Sequence, residues 1–418
     1  MQTRVGHGES FASLSRYGFS RGHQGTGLAI RGVQRTNVGL LLLALAGCGT
    51  GMAPSTIAPS ASPSTSLRPA TTATPSATTT AAPASTVWHS VAVPEPTSAG
   101  LLGIACVSAT ECWAVGSLGG TQGVIERLEG NEWSVAANAD HSTILTDVSC
   151  ASSNDCWAVG GGMSSGSLVS VFDHFTGQAW TPSATSLPSQ AELLGITCLS
   201  NGSCWAVGSL GDQPVVASYA GARWAVAESP SIPSGGAGEL NDVWCVTSSN
   251  CWAVGKTGFQ GAALIEHYDG STWTLATSPS LNVTVGTSMG AGELMSIDCL
   301  TANDCWSVGD LAAFGGTSPA QFLVEHWDGN AWAVAPTTTP SGLGEYAALN
   351  GVSCAPGDDC WAAGGAVLEH YGTSGWTSVD APAFSGGGAF DVSCSGNGVC
   401  WAVGTTATGP ASATNSTA

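Results

Sequence analysis

The stretch Cys106-Val-Ser-Ala-Thr-Glu-Cys-Trp-Ala-Val-Gly116 decides the fold, because it recurs. Seven times a cysteine is followed, after five residues, by a second cysteine with tryptophan beside it. The pairs are Cys106/Cys112, Cys150/Cys156, Cys198/Cys204, Cys245/Cys251, Cys299/Cys305, Cys354/Cys360 and Cys394/Cys400, and the tryptophans are Trp113, Trp157, Trp205, Trp252, Trp306, Trp361 and Trp401. A spacing that returns every 40 to 55 residues is one supersecondary unit copied along the chain.

Working outward, each copy has four segments. An apolar run ends in the first cysteine, as in Leu101 to Cys106 or Leu294 to Cys299. The second segment starts at the second cysteine and reads Cys-Trp-Ala-Val-Gly or a close variant. A third run such as Leu264-Ile265-Glu266-His267-Tyr268 follows a variable loop, and a fourth opens on another tryptophan: Trp133, Trp180, Trp224, Trp273, Trp332 and Trp376. Five repeats separate the third-segment acid from that tryptophan by seven residues, Glu126 to Trp133 through Glu369 to Trp376, so this hairpin is fixed in length. Short β-branched and aromatic runs between Gly, Asp and Asn turns are strand signals, and no stretch has helical periodicity. Seven copies of four antiparallel strands predict an all-β fold, a seven-bladed β-propeller over residues 86–418.

The hairpin register also predicts one disulfide per blade. Facing residues that share no hydrogen bonds lie about 4.5 Å apart at Cα, within bridging range. Zinc on paired thiolates would need four converging ligands and a reducing compartment. Fourteen evenly paired cysteines point instead to an oxidising one, and Cys48 is left over.

The two ends read as halves of one blade. Val87-Trp88-His89-Ser90-Val91 looks like a fourth strand without its first three, and Phe390 to Gly404 supplies two strands without a tryptophan strand after them. The N-terminal strand with Trp88 is expected to complete the last blade and close the ring, abolishing its open edge. The third strand of that blade reads as missing or degenerate in Thr405 to Ala418, as if the chain were truncated.

Residues 1–47 read as a lipoprotein leader. An apolar run, Leu40 to Ala46, follows Arg31 and Arg35 and ends in Leu45-Ala46-Gly47-Cys48. It is far short of the roughly 20 residues that span a bilayer. The last four residues resemble the bacterial lipobox, which implies cleavage before Cys48 and acylation of its thiol; the competing reading is an ordinary signal peptide with a chance cysteine. The residues before Arg31 show no pattern, so a start near Val33 is expected. Residues 48–85 are almost entirely Ser, Thr, Ala and Pro, the composition of a disordered tether.

With the strands placed, the glycine of the second strand, the aromatic of the third and the tryptophan of the fourth resemble the kelch repeat of galactose-oxidase-like propellers. The pairs Gly160-Gly161 and Gly364-Gly365 match that family's double glycine; most other repeats carry one. Asp269-Gly270-Ser271-Thr272-Trp273 and Asp328-Gly329-Asn330-Ala331-Trp332 resemble the Asp-box hairpin of sialidase-type and photosystem-assembly propellers. The resemblance implies a fold rather than an activity.

Charge narrows the partners. Beyond residue 47 four basic residues, Arg68, Arg127, Arg223 and Lys256, stand against 28 acidic ones, a net of −24. Such a surface repels nucleic acid and anionic lipid faces. A sialidase-like site would need clustered arginines, and Arg127 and Arg223 sit at non-equivalent positions. A galactose-oxidase-like copper site would need converging tyrosines and a free cysteine, whereas Tyr219, Tyr268, Tyr346 and Tyr371 sit on or beside repeats. His174, His267, His326 and His370 occupy one repeat position and read as structural histidines beside their acidic neighbours. Glu111, Asp155, Asn250, Asp304 and Asp359 precede the second cysteine and read as turn caps, with weak calcium binding as the alternative. No catalytic, metal or cofactor residue is assigned, and no carboxylate pair stands out for glycoside hydrolysis.

Variation concentrates in Ser117–Gly123, Gly161–Ser167, Lys256–Gly261, Asp310–Gln321, Ser280–Gly292 and Pro336–Ala347, which a propeller presents on one face, opposite the disulfide hairpins. The expectation is a monomeric, lipid-anchored extracellular protein that binds a glycan or protein on that face without catalysis. A carbohydrate-active enzyme or an assembly scaffold for a membrane complex is the alternative.

Overall fold

Each repeat folds into a four-stranded antiparallel blade, and seven blades close a ring. The computed structural model describes residues 87–416, apart from 95–98, 139–142, 165–166, 228, 231, 233–235, 259–260, 280–283, 286–287, 314–319 and 344–346. The leader, Cys48, the tether and Tyr346 lie outside the described residues. Blade 1 is built of Ala99–Ser108, Glu111–Leu118, Gln122–Glu129 and Glu132–Asn138, paired in that order from inner to outer strand. Blade 4, Gly238–Thr247, Asn250–Thr257, Ala263–Tyr268 and Trp273–Ala276, repeats the arrangement. Blade 5 carries a fifth strand, Thr284–Val285, and a long inner pair, Ser288–Thr301 against Asp304–Ala313. The described residues hold no α-helix; a 3-10 turn, Pro382–Phe384, lies in the connection into blade 7.

The cysteines of every repeat face each other across the first hairpin, and all seven pairs are bonded: Cys106–Cys112, Cys150–Cys156, Cys198–Cys204, Cys245–Cys251, Cys299–Cys305, Cys354–Cys360 and Cys394–Cys400. Their Cα atoms lie 3.9–4.2 Å apart. The disulfide pairing holds as read from the sequence, and the second member of each pair has a packing role besides. Cys112, Cys156, Cys204, Cys251, Cys305, Cys360 and Cys400 are fully buried and pack in the apolar clusters between blades, so they are core residues as well. The second strand is flanked in its sheet on both sides, which encloses its cysteine more completely than the one on the inner strand.

The glycine closing each Trp-Ala-Val-Gly has a packing reason. A Cβ on Gly116 would lie 2.0 Å from the Gly100 carbonyl oxygen of the inner strand, so only hydrogen fits there.

The last blade is complete, which corrects the expectation of a missing strand. Pro410–Thr414 is its third strand, paired on one side with Cys400–Thr405 and on the other with His89–Val91. Pro-Ala-Ser-Ala-Thr lacks the acid, histidine and aromatic of its counterparts, so the run carries no repeat signature. Position in the sheet makes it a strand. The N-terminal segment is the outer strand of this blade, as expected.

Apolar packing lies between the blades rather than in one central core. Leu101, Ile104, Val124 and Trp133 of blade 1 pack with Trp401 and Val403 of blade 7, and each of the other six junctions holds an equivalent cluster. At every junction the second-strand tryptophan of one blade meets the outer-strand tryptophan of the next, nearly edge to face. The pairs are Trp113–Trp180, Trp157–Trp224, Trp205–Trp273, Trp252–Trp332, Trp306–Trp376, Trp361–Trp88 and Trp401–Trp133, with ring centroids 5.1–6.0 Å apart. Such pairs contribute roughly 0.5–1.5 kcal/mol each beyond area burial. All seven outer-strand indole N–H groups are buried without a hydrogen-bond acceptor.

Candidate functional site

Two residue series of the sequence turn out to be one device on the disulfide face. The residue before the second cysteine does not cap its turn; Ser108, Ser152, Thr247 and Thr301 do that, accepting the backbone N–H two residues on. It reaches instead to the third strand. His174 Nε2 lies 2.8 Å from Asp155, His326 2.8 Å from Asp304, His370 2.7 Å from Asp359 and His267 3.0 Å from Asn250. Arg127 takes the same place in blade 1, 2.9 Å from Glu111. Each cationic or imidazole group lies over the second-strand tryptophan, His174 on Trp157 at 3.8 Å and Arg127 over Trp113 at 5.1 Å. Side chains consumed in this way are structural. The Asp-box aspartates are equally committed: Asp269 Oδ1 accepts the Ser271 and Thr272 amides, which hold its carboxyl down at about 2.

The acids of the third strands are buried between blades. Ser229, from the connection leaving blade 3, donates to Glu266 of blade 4, and Ser278 likewise donates to Glu325 of blade 5. Burial raises the Glu266 carboxyl to about 7 against the lowering by its serine.

A further set of acids, which no motif marks in the sequence, lies on the inner strands around the axis. Three residues before the first cysteine, successive blades carry Gly103, Asp147, Gly195, Asp242, Ser296, Gly351 and Asp391. A β-bulge precedes this position in six blades. Each aspartate accepts its own following amide on one oxygen and an amide of the next blade on the other: Asp147 from Ile196 at 2.8 Å, Asp242 from Ile297 at 2.9 Å, Asp391 from Ile104 at 2.8 Å. The glycines alternate because the next blade's backbone fills their side-chain space; a Cβ on Gly195 would lie 2.6 Å from Asp242 Cα. At the junction of blades 5 and 6, Asp298 accepts the Cys354 amide instead.

The opposite end of the inner strands faces the variable loops, and here three consecutive blades place a glutamate six residues before the cysteine: Glu192, Glu239 and Glu293. Lys256, the only lysine of the chain, lies opposite Glu239 in register. Its Nζ donates to Glu239 at 3.1 Å and to Glu293 of blade 5 at 2.7 Å, joining two blades. The other Glu293 oxygen accepts Asn241 Nδ2 at 3.1 Å, and Asp310 stands opposite Glu293. These side chains are half-buried; Lys256 retains 23% of its side-chain exposure. The extended hairpin of blade 5 rises beside them. The sequence signal was present, a lone lysine among glutamates at one repeat offset. No group of three or more metal-ligating side chains is positioned to hold an ion among the described residues.

No family profile and no curated protein match the sequence. Solved structures do match. A virginiamycin B lyase from Staphylococcus aureus, inactivated and with quinupristin, superimposes at a TM-score of 0.56 and 11% identity, covering 78% of this chain and 98% of that one. A YCF48 bound to a D1 peptide gives 0.51 and 16%, covering 78% and 94%. The WD40 propeller domain of Doa1 gives 0.53 and 11%, covering 78% and 96%. The likeness is one of fold. These scaffolds include binding modules and a lyase, so the fold leaves catalysis open.

Proposed function

We propose that the protein is a surface lipoprotein, acylated at Cys48, whose propeller binds an extracellular glycan or protein on its variable-loop face without catalysing a reaction. The leader and lipobox-like Leu45-Ala46-Gly47-Cys48 support the anchor, and a tether of 37 residues beyond it reaches on the order of 100 Å when extended. Seven disulfides suit an oxidising exterior. The observation that carries the binding reading is the Glu239–Lys256–Glu293 bridge, a polar cluster held rigid by two blades beneath loops that differ from blade to blade. A peptide-bound neighbour among the similar scaffolds agrees with a protein ligand.

One observation favours an enzyme as second reading. Glu239 and Glu293 both lie within about 3 Å of one nitrogen, so two carboxylates stand close together, as a glycosidase's pair does. Both carboxylates are committed to the one ammonium between them, so binding is the better account. Incubating the purified protein, disulfides intact, with cell-wall and plant polysaccharides separates the two. Retention on the insoluble fraction without release of reducing ends is the expected result; release would overturn the non-catalytic reading, and neither would favour a protein ligand.

A further inference from the structure

We propose that the axial carboxylates make the ring a pH-sensitive closure, tightest in acid and loosened as the surroundings reach neutrality. Asp147, Asp242, Asp298 and Asp391 converge on one axis, and each ties its blade to the next through a backbone amide. Their partners are amides and the hydroxyls of Ser296 and Ser353, with no cation among them. Four carboxylates gathered around one axis without a counter-charge repel one another when ionised, and burial, nearly complete at Asp298 and partial at Asp147, Asp242 and Asp391, adds to the penalty.

The charged groups around them do not supply that counter-charge. The inner strands of blades 1 and 6 carry no ionisable side chain, and those of blades 3, 4 and 5 add Glu192, Glu239 and Glu293, at the loop end. The second strands carry charge only near their ends: Glu111, Asp155, Asp304 and Asp359 on one side, Lys256 and Asp310 on the other. Third strands contribute Glu126, Asp173, Glu266, Glu325 and Glu369, with Arg127, Glu129, His174, His267, His326 and His370 toward the disulfide face. Lys256 is engaged by Glu239 and Glu293.

Desolvation, reinforced by neighbouring carboxylates at Asp391, raises Asp242 to about 6, Asp298 to about 7 and Asp391 to about 8. Asp147 is raised well above the ordinary range by burial and then by Asp242 and Asp391. A carboxyl raised on folding gives stability that is complete below its unfolded pKa near 4 and lost as pH climbs through the folded value. The window therefore runs from about pH 4 to about pH 8. Because Glu239 lies three residues from Asp242 and Glu293 five from Asp298 on the same inner strands, the closure also supports the loop-face cluster.

The test is the melting temperature of the disulfide-intact protein between pH 4 and 8.5, compared with Asp391→Asn and Asp147→Asn. An asparagine oxygen still accepts the next blade's amide but carries no charge. The wild type is expected to melt highest near pH 4–5 and to fall by at least about 5 °C by pH 8. Each variant flattens that slope, while the carboxyls of Glu266 and Glu369, also raised by burial, leave a residue of it in all three proteins. A wild-type profile that is flat or rises with pH overturns the proposal, whether or not the variants fold. So does a slope unchanged in two folded variants.

Discussion

Trp88, at the N-terminal edge of the propeller, stands edge-on to Trp361 of blade 6, with ring centroids 5.1 Å apart and planes at 74°. The two are 273 positions apart in the chain, yet they repeat the contact that joins every other pair of adjacent blades. Blade 7 is thus held by both ends of the chain: Trp88 docks on blade 6, while Trp401 receives Trp133 of blade 1.

This closure is testable by truncating one side chain. Trp88→Ala removes a buried indole from the junction of blades 6 and 7 and is expected to cost about 3–5 kcal/mol. Trp88→Phe keeps a ring there and costs less. Urea unfolding at constant pH measures both; equal stability of Trp88→Ala and wild type would show that the ring closes without this contact.

The close packing of inner strands gives a second prediction. Gly195→Ala forces a methyl group against the Asn241–Asp242 backbone and is expected to destabilise by roughly 1–3 kcal/mol. Gly396→Ala, where nothing lies within 4 Å, is the neutral control. Thermal melts of the pair should differ by several degrees.

The disulfides staple hairpins that are already adjacent in sequence, so each is expected to contribute only roughly 2 kcal/mol. Replacing Cys106 and Cys112 together by alanine should lower stability by about that amount without opening the ring. Full reduction should have a much larger effect, read as a drop in melting temperature in dithiothreitol.

Lys256→Met removes the cation shared by Glu239 and Glu293 and leaves two half-buried carboxylates facing each other. A loss of on the order of 1–3 kcal/mol is expected, because unpaired charge is left behind. If the loop face binds the ligand, retention on the polysaccharide or peptide that wild type holds should fall about tenfold or more, by 1.4 kcal/mol per decade. Unchanged retention by a folded variant would place the ligand elsewhere.

Much of this architecture was legible in the sequence because repeats are local. The Cys-x5-Cys spacing fixes a hairpin, the Glu-to-Trp interval fixes another, and both hold as read. That Cys156, Cys204, Cys251, Cys305 and Cys360 also fill the junctions between blades was not legible, because a spacing gives the bridge and not what packs around it. Pro410–Thr414 was illegible because its side chains carry no strand signature; its pairing with His89–Val91 comes from opposite chain ends. The histidines and the acids before the second cysteine were each visible as a series, but their pairing needs the register of the second and third strands. Asp147, Asp242 and Asp391 hid for another reason. In the sequence each is one acid at a repeat position that glycine or serine fills in the other blades, and only the ring brings them to a common axis.

What the sequence determined by itself is the repeat: its four strands, its turns, its disulfide and the number of copies. These depend on spacings within a few dozen residues, where periodicity and turn chemistry dominate. Which residues meet between blades was decided only by the tertiary structure, because closing the ring sets distances between positions 40 to 290 residues apart. That closure sets Trp88 edge-on to Trp361, gathers the axial carboxylates and places Lys256 between glutamates of two blades.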